Sequence, residues 1–184
     1  MLLSMSLFSH PAISIATTQD IIAIRDLLNS AYRGESSRGG WTTEADIIAG
    51  DVRTDEKDLQ GVMRQEGSIF LKYTSKENEI VGCVNLQQHP GKMYLGMFSV
   101  SPLLQGSGIG RHLLKAAEAY ALSQNCDLIY MSVISVRIEL INWYKRNGYV
   151  ETGERKAFTE DGLTGKHLQP LDFLILQKKL VTTQ

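Results

Sequence analysis

At 184 residues, the chain has room for one compact domain with a proper core and is too short for two ordinary ones. Its 43% hydrophobic and 21% charged residues make a globular composition, and a net charge of −1 gives no broad basic field of the kind that binds nucleic acid or an acidic membrane. The two cysteines, Cys83 and Cys126, have neither metal-ligand spacing nor a disulfide framework, which suits a reduced, cytoplasmic setting.

The first twelve residues, MLLSMSLFSHPA, are apolar but lack Lys and Arg and break at Pro11. They are expected to form an N-terminal extension to the domain rather than a secretory signal, with Met5 as an alternative start. Residues 13–17 alternate as a short strand, and Thr17 or Thr18 with Asp20 opens a helix carrying Ile21, Ile24, Leu27, Leu28 and Ala31 on one face up to Gly34. A polar, glycine-rich segment follows over residues 34–43. Thr42 or Thr43 is expected to cap a short helix over 44–49, with another helix over 56–65. Residues 68–74, 80–87 and 92–100 read as three strands joined by short turns, so they pair antiparallel.

Next comes the run Gln105-Gly106-Ser107-Gly108-Ile109-Gly110, leading into an amphipathic helix with Ile109, Leu113, Leu114, Ala117 and Ala121 on one face. Residues 127–133 form a dense apolar strand and 137–146 a helix that stops at Asn147-Gly148. Strands begin at Tyr149 and Phe173. The expected class is α+β, with a single mixed, mostly antiparallel twisted sheet of about seven strands and helices on both faces.

A strand, a glycine loop and a helix N-terminus in that order make an anion site, because glycine lets backbone N–H groups turn inward and the helix dipole points the same way. A nucleoside-triphosphate loop is excluded, since Arg111-His112 stands where Lys-Ser/Thr is required. The dinucleotide pattern G-x-G-x-x-G fails from Gly106 (Arg111 in the third place) and from Gly108 (Leu113). The pattern that fits is Gln/Arg-x-x-Gly-x-Gly/Ala, as Gln105, Gly108 and Gly110. With Val100-x-Pro102 before it, this loop resembles the coenzyme A signature of the GNAT superfamily of N-acetyltransferases. The Tyr144, Gly148, Tyr149 ending resembles that family's second motif.

The resemblance implies a single GNAT-like domain over residues 1–184 that binds acetyl-CoA as co-substrate, without a metal. It implies cofactor contacts from Phe98, Ser99, Val100, Gln105, Gly106, Ser107, Gly108, Ile109, Gly110 and Arg111, the strand backbone supplying an oxyanion donor. Tyr144 stands where the family places an acid for the departing thiolate; the other reading of it is a core aromatic. The family often has Asn where this chain has Arg137, which reads here as a structural ion-pairing residue with Glu139 as a partner. The remaining partners implied are an amine acceptor and a second copy of the chain, with no nucleic acid and no membrane.

Acyl transfer to an amine needs the amine neutral, and uncovering an alkylamine of pKa ~10.4 at pH 7 costs about 4.6 kcal/mol, so a base must serve it. On the acceptor side, the segment joining the first two helices carries Glu35, Trp41 and Glu44, suited to a protonated amine by cation–π contact and charge pairing, with Glu44 as base through water. The acceptor expected between that segment and residues 153–166 is a small primary amine or an amino-acid-like molecule. The alternative is a non-catalytic acyl-CoA-binding sensor of the same fold, and a third reading is an acyltransferase with a donor longer than acetyl.

Overall fold

The computed structural model describes residues 8–181. Residues 1–7, including Met5 and most of the expected extension, lie outside the described residues. Phe8, at 7% exposure, packs into the main core.

Strand β1 (Ile13–Ile15) leads through a 3-10 turn into helix α1 (Ile21–Tyr32), with a capping box between Thr17 and Asp20 at its entry. Helix α2 (Gly34–Ser37), strand β2 (Ile48–Ala49) and helix α3 (Glu56–Arg64) follow. Strands β3 (Ser68–Thr74), β4 (Ile80–His89) and β5 (Lys92–Val100) form a meander. Helix α4 (Ile109–Ser123), strand β6 (Leu128–Ile134) and helix α5 (Ile138–Arg146) come next. The chain closes with β7 (Val150–Ala157), β8 (Lys166–His167) and β9 (Asp172–Lys179).

The main sheet runs β1-β3-β4-β5-β6-β9-β7, with only β5 and β6 parallel. Side chains alternate along β3 and β4 and so split the core in two. Phe70 and Cys83 point to α1 and α3, where Ile24, Leu28 and Leu59 are fully buried. Leu71, Val84 and Leu86 point to α4 and α5, against Leu113, Leu114 and Ile141. Each fully buried Leu or Ile contributes roughly 1.5–3 kcal/mol, which is what fixes the helices to the sheet.

The helix expected over 44–49 is not formed. Ile47 and Ile48 both donate to the Glu44 carbonyl, so one turn begins, but Ile48 and Ala49 then pair with His167 and Lys166 in a two-stranded ribbon. Tertiary pairing outweighs a weak local cap, and the helical turn of this region lies earlier, at α2.

The feature that positions the site is a parting of the central strands. β5 and β6 pair only from Lys92↔Leu128 to Tyr94↔Tyr130, although both continue well beyond. On the other side of β5, the register passes from Gly96↔Asn85 to Ser99↔Cys83, so Met97 and Phe98 oppose Val84 alone. Met97 adopts φ +45°, the left-handed conformation of a bulge residue. The bulge bends β5 away from β6, and beyond Tyr94↔Tyr130 no ladder joins the two strands, which leaves a gap between them.

Candidate active site

β5 ends at Val100, and Pro102 starts a 3-10 turn that leads into the glycine loop. Gly106 and Gly108 have φ of +83° and +94°. A Cβ at Gly106 would meet nothing within 4 Å and one at Gly108 only the His112 ring at 3.9 Å, so glycine serves the backbone turn there rather than close packing. Gly108 is the N-cap of α4 and no side chain caps that end. The first N–H groups of the helix therefore stay available to an outside acceptor.

These groups border a cavity of about 590 Å³, within the range of small-molecule and cofactor sites. Phe98, Ser99, Val100, Gln105, Gly106, Ser107, Gly108, Gly110 and Arg111 all line it. Ile109 turns the other way, into the core beside Leu113. The Ser99 hydroxyl is buried and has no hydrogen-bond partner among the described residues, which leaves a donor and an acceptor for a bound molecule.

A smaller cavity of about 120 Å³ lies on the other side of the strand gap, walled by Tyr94, Met97, Met131, Phe158 and Phe173. Phe158 and Phe173 stack at 4.4 Å, and Phe158 falls within the 153–166 region expected to face the acceptor. Tyr32, Phe98, Arg137, Leu140 and Tyr144 line both cavities, so the two meet at this set of side chains.

Tyr144 projects from α5 into that junction. Its ring is 4% exposed, wedged edge-on against Trp143 at 5.1 Å and Tyr149 at 5.7 Å. Its hydroxyl has no hydrogen bond among the described residues, unlike that of Tyr32, which donates to the Phe98 carbonyl at 2.7 Å. Burial, with Tyr32 adding to it, pushes the Tyr144 phenol well above its ordinary value despite Arg137 nearby. Burial and then Glu44 push Tyr32 up to about 12. Both rings thus carry their protons at any working pH.

Glu44 is buried at 4% exposure between two guanidiniums: one carboxylate oxygen accepts from Arg33 and the other from Arg137 at 2.8 Å. Arg33 also donates to the Thr164 carbonyl at 3.1 Å, and Arg137 to the Thr42 hydroxyl. Arg137 approaches Glu139 only to 3.7 Å, so its main partner is Glu44. Trp41 lines the larger cavity rather than the smaller, and its backbone N–H donates to the Gln105 side-chain oxygen at 2.9 Å. A Cβ at Gly40 would meet the Gln105 carboxamide, so a side chain there would displace the Gln105 end that bonds Trp41. Glu35 lies in neither cavity; it is exposed and pairs with Arg38 at 3.2 Å. The acceptor-side carboxylates expected from sequence are thus one clamped and one outside, and the charged groups beside the gap are mostly cations.

Cys83 and Cys126 are free and buried, and burial pushes the Cys83 thiol up, so neither forms a ready thiolate. No helix of the described residues is long and apolar enough to cross a membrane.

Known proteins resemble this architecture. In sequence, 69 residues are 35% identical to a spermine/spermidine N(1)-acetyltransferase of Bacillus subtilis (strain 168), a match over 35% of this chain and 43% of that one. The chain thus spans less than half the length of that curated relative. In structure, it matches the ribosomal-protein-S18-alanine N-acetyltransferase from Escherichia coli with a TM-score of 0.68 at 16% identity, over 94% of this chain and 95% of the other. It matches a ribosomal-protein-alanine N-acetyltransferase from Brucella melitensis with a TM-score of 0.66 at 22% identity, over 91% and 99%. At such identities these two likenesses speak for the fold alone. The acetyltransferase (GNAT) family model matches residues 21–149, from the start of α1 to Tyr149. That stretch takes in the glycine loop, the strand gap and Tyr144, and the chain belongs to the GNAT family of acetyltransferases.

Proposed function

We propose that this protein transfers the acetyl group of acetyl-CoA directly to an amine of a small molecule or peptide in a ternary complex, with Tyr144 as general acid. The observation that carries this reading is the meeting of a cofactor-sized cavity and a smaller one at a single unpartnered phenol. A module that only bound acyl-CoA would need the larger cavity alone.

The available N–H groups at the start of α4 suit a pyrophosphate, and the backbone of β5 at the gap suits the pantetheine arm and the acetyl carbonyl. As the amine attacks, the carbonyl oxygen becomes an oxyanion, for which backbone donors of residues 98–100 are the proposed support. Collapse of the tetrahedral adduct breaks the C–S bond and leaves a thiolate. A phenol with a raised pKa is a weak acid towards an ordinary thiolate. The thiolate formed here is desolvated too, and the same burial raises its proton affinity, which restores the match. Glu44 has no free oxygen to offer an ammonium, so its proposed part is to hold Arg33 and Arg137 in place. The guanidiniums beside the gap disfavour an ammonium and so favour the neutral, nucleophilic amine, its proton leaving through water.

Two outcomes test this chemistry. Gly108→Asp adds a side chain at φ +94° and a negative charge beside the phosphate site. Charge-assisted bonds there contribute about 1.5–3 kcal/mol each, so acetyl-CoA affinity should fall at least ~10-fold by calorimetry. Parental affinity in the folded variant would remove the glycine loop from the cofactor site. The second outcome is a pH profile. Because the Tyr144 pKa is raised, its acid form persists as pH climbs. The kcat/KM should therefore rise as the acceptor ammonium deprotonates and show no descending limb up to about pH 10. A descending limb below that would speak against Tyr144 as the acid.

A further inference from the structure

The smaller cavity has an electrostatic character that the family reading does not supply. Four charged side chains line it: Arg33, Arg53, Arg137 and Glu44. Glu44 spends both oxygens on Arg33 and Arg137, and each of those also serves a second oxygen, the Thr164 carbonyl and the Thr42 hydroxyl. Arg53 is different. It is half-buried, and among the described residues its guanidinium makes no ion pair and no hydrogen bond; it sits over the Tyr32 ring, 5.5 Å from the centroid. Its base is fixed. The Asn29 side chain accepts from the Arg53 N–H at 2.7 Å and the Thr54 N–H at 3.0 Å, and donates to the Thr54 carbonyl at 3.1 Å. Asn29 and Tyr32 stand one turn apart on α1, so the helix holds both the clamp and the ring.

A rigidly based, half-buried cation without a counter-ion, in a cavity already net positive, calls for an anion on whatever enters. Its planar fork fits a carboxylate. We infer that the amine acceptor carries a carboxylate, which Arg53 binds, with an apolar body lying against Phe158 and Phe173. This rests on the acetyl-transfer reading and deepens it. The same cavity disfavours a polyamine, whose second ammonium would meet the guanidiniums with no free carboxylate to receive it. At about 120 Å³ the cavity is far below drug-sized sites, which points to an acceptor of amino-acid dimensions.

The test compares L-leucine, leucinamide and isoamylamine, which differ in having a carboxylate, a neutral amide and neither, with cadaverine as a diamine. Thiol release from acetyl-CoA gives kcat/KM for each in the parent and in Arg53→Gln. The inference expects leucine to exceed the other three at least ~10-fold in the parent. The gap should narrow to about threefold or less in Arg53→Gln and recover in part in Arg53→Lys, which keeps the charge but not the fork. Leucinamide, isoamylamine or cadaverine matching leucine in the parent overturns it without recourse to any variant, and leaves acetyl transfer standing. A gap that persists in Arg53→Gln overturns the role of Arg53. An absence of thiol release with every amine, in a protein that binds acetyl-CoA, removes the transfer reading and this inference with it.

Discussion

Tyr144→Phe is expected to lower kcat about 10²–10⁴-fold, the usual weight of one positioned acid–base group, while acetyl-CoA affinity hardly changes. The substitution is well chosen for the site. The Tyr144 ring is packed against Phe98, Trp143 and Tyr149, and Phe keeps all of that packing. The hydroxyl it removes bonds nothing among the described residues, so no other group is left unpaired by its loss. Stability should hold, since the hydroxyl faces the cavities and the ring packing is kept. Turnover equal to that of the parent would make Tyr144 a core aromatic and nothing more.

The second large effect concerns stability. Glu44→Ala should destabilise the fold by about 3–5 kcal/mol, read as a lowered denaturation midpoint, because it strands two guanidiniums in the interior. Arg33 is 1% exposed and Arg137 is 7%, so little water can take the place of the lost carboxylate. Set against a typical total stability of roughly 5–15 kcal/mol, the loss would be a large share of the whole. The same experiment separates two roles for this carboxylate. A positioning residue gives lost stability and an impaired KM, partly rescued in Glu44→Gln. Full stability with an intact KM and a collapsed kcat would instead return Glu44 to the part of general base.

What could be read from sequence alone was what is local in sequence. The glycine loop is six consecutive residues, and its positive-φ positions are written as Gly106 and Gly108. Tyr144 and Tyr149 stand at the end of a helix whose apolar spacing and Asn-Gly stop are both within one stretch. The sheet strands were legible for the same reason, by alternation and short turns. What was hidden was assembled over distance. Glu44 is separated from Arg33 by 11 positions and from Arg137 by 93, and nothing in the chain marks these three as buried partners. Arg53 sits between Asp51 and Asp55, a run that reads as a solvated surface until α1 brings Asn29 and Tyr32 beneath it. Phe158 stands among mostly polar neighbours in sequence, and its packing partners on β2 and β8 lie elsewhere in the chain. The bulge at Met97 left no trace either, since Met has no preference for the left-handed region. Reading Glu35, Trp41 and Glu44 together as an acceptor site assumed that neighbours in sequence share a pocket. The structure places Glu35 on the surface, Trp41 on the larger cavity and Glu44 on the smaller one, clamped in the ion triad.

The most direct test of direct acetyl transfer is a single incubation of the purified protein with acetyl-CoA and an amine panel, following free thiol and acetylated product together by mass spectrometry. Direct transfer gives one thiol for each N-acetylated amine, no product without protein, and no acetyl group on the protein at any time. Binding of acetyl-CoA with no acetyl group reaching any amine, or an acetyl-protein formed before the product, would contradict it.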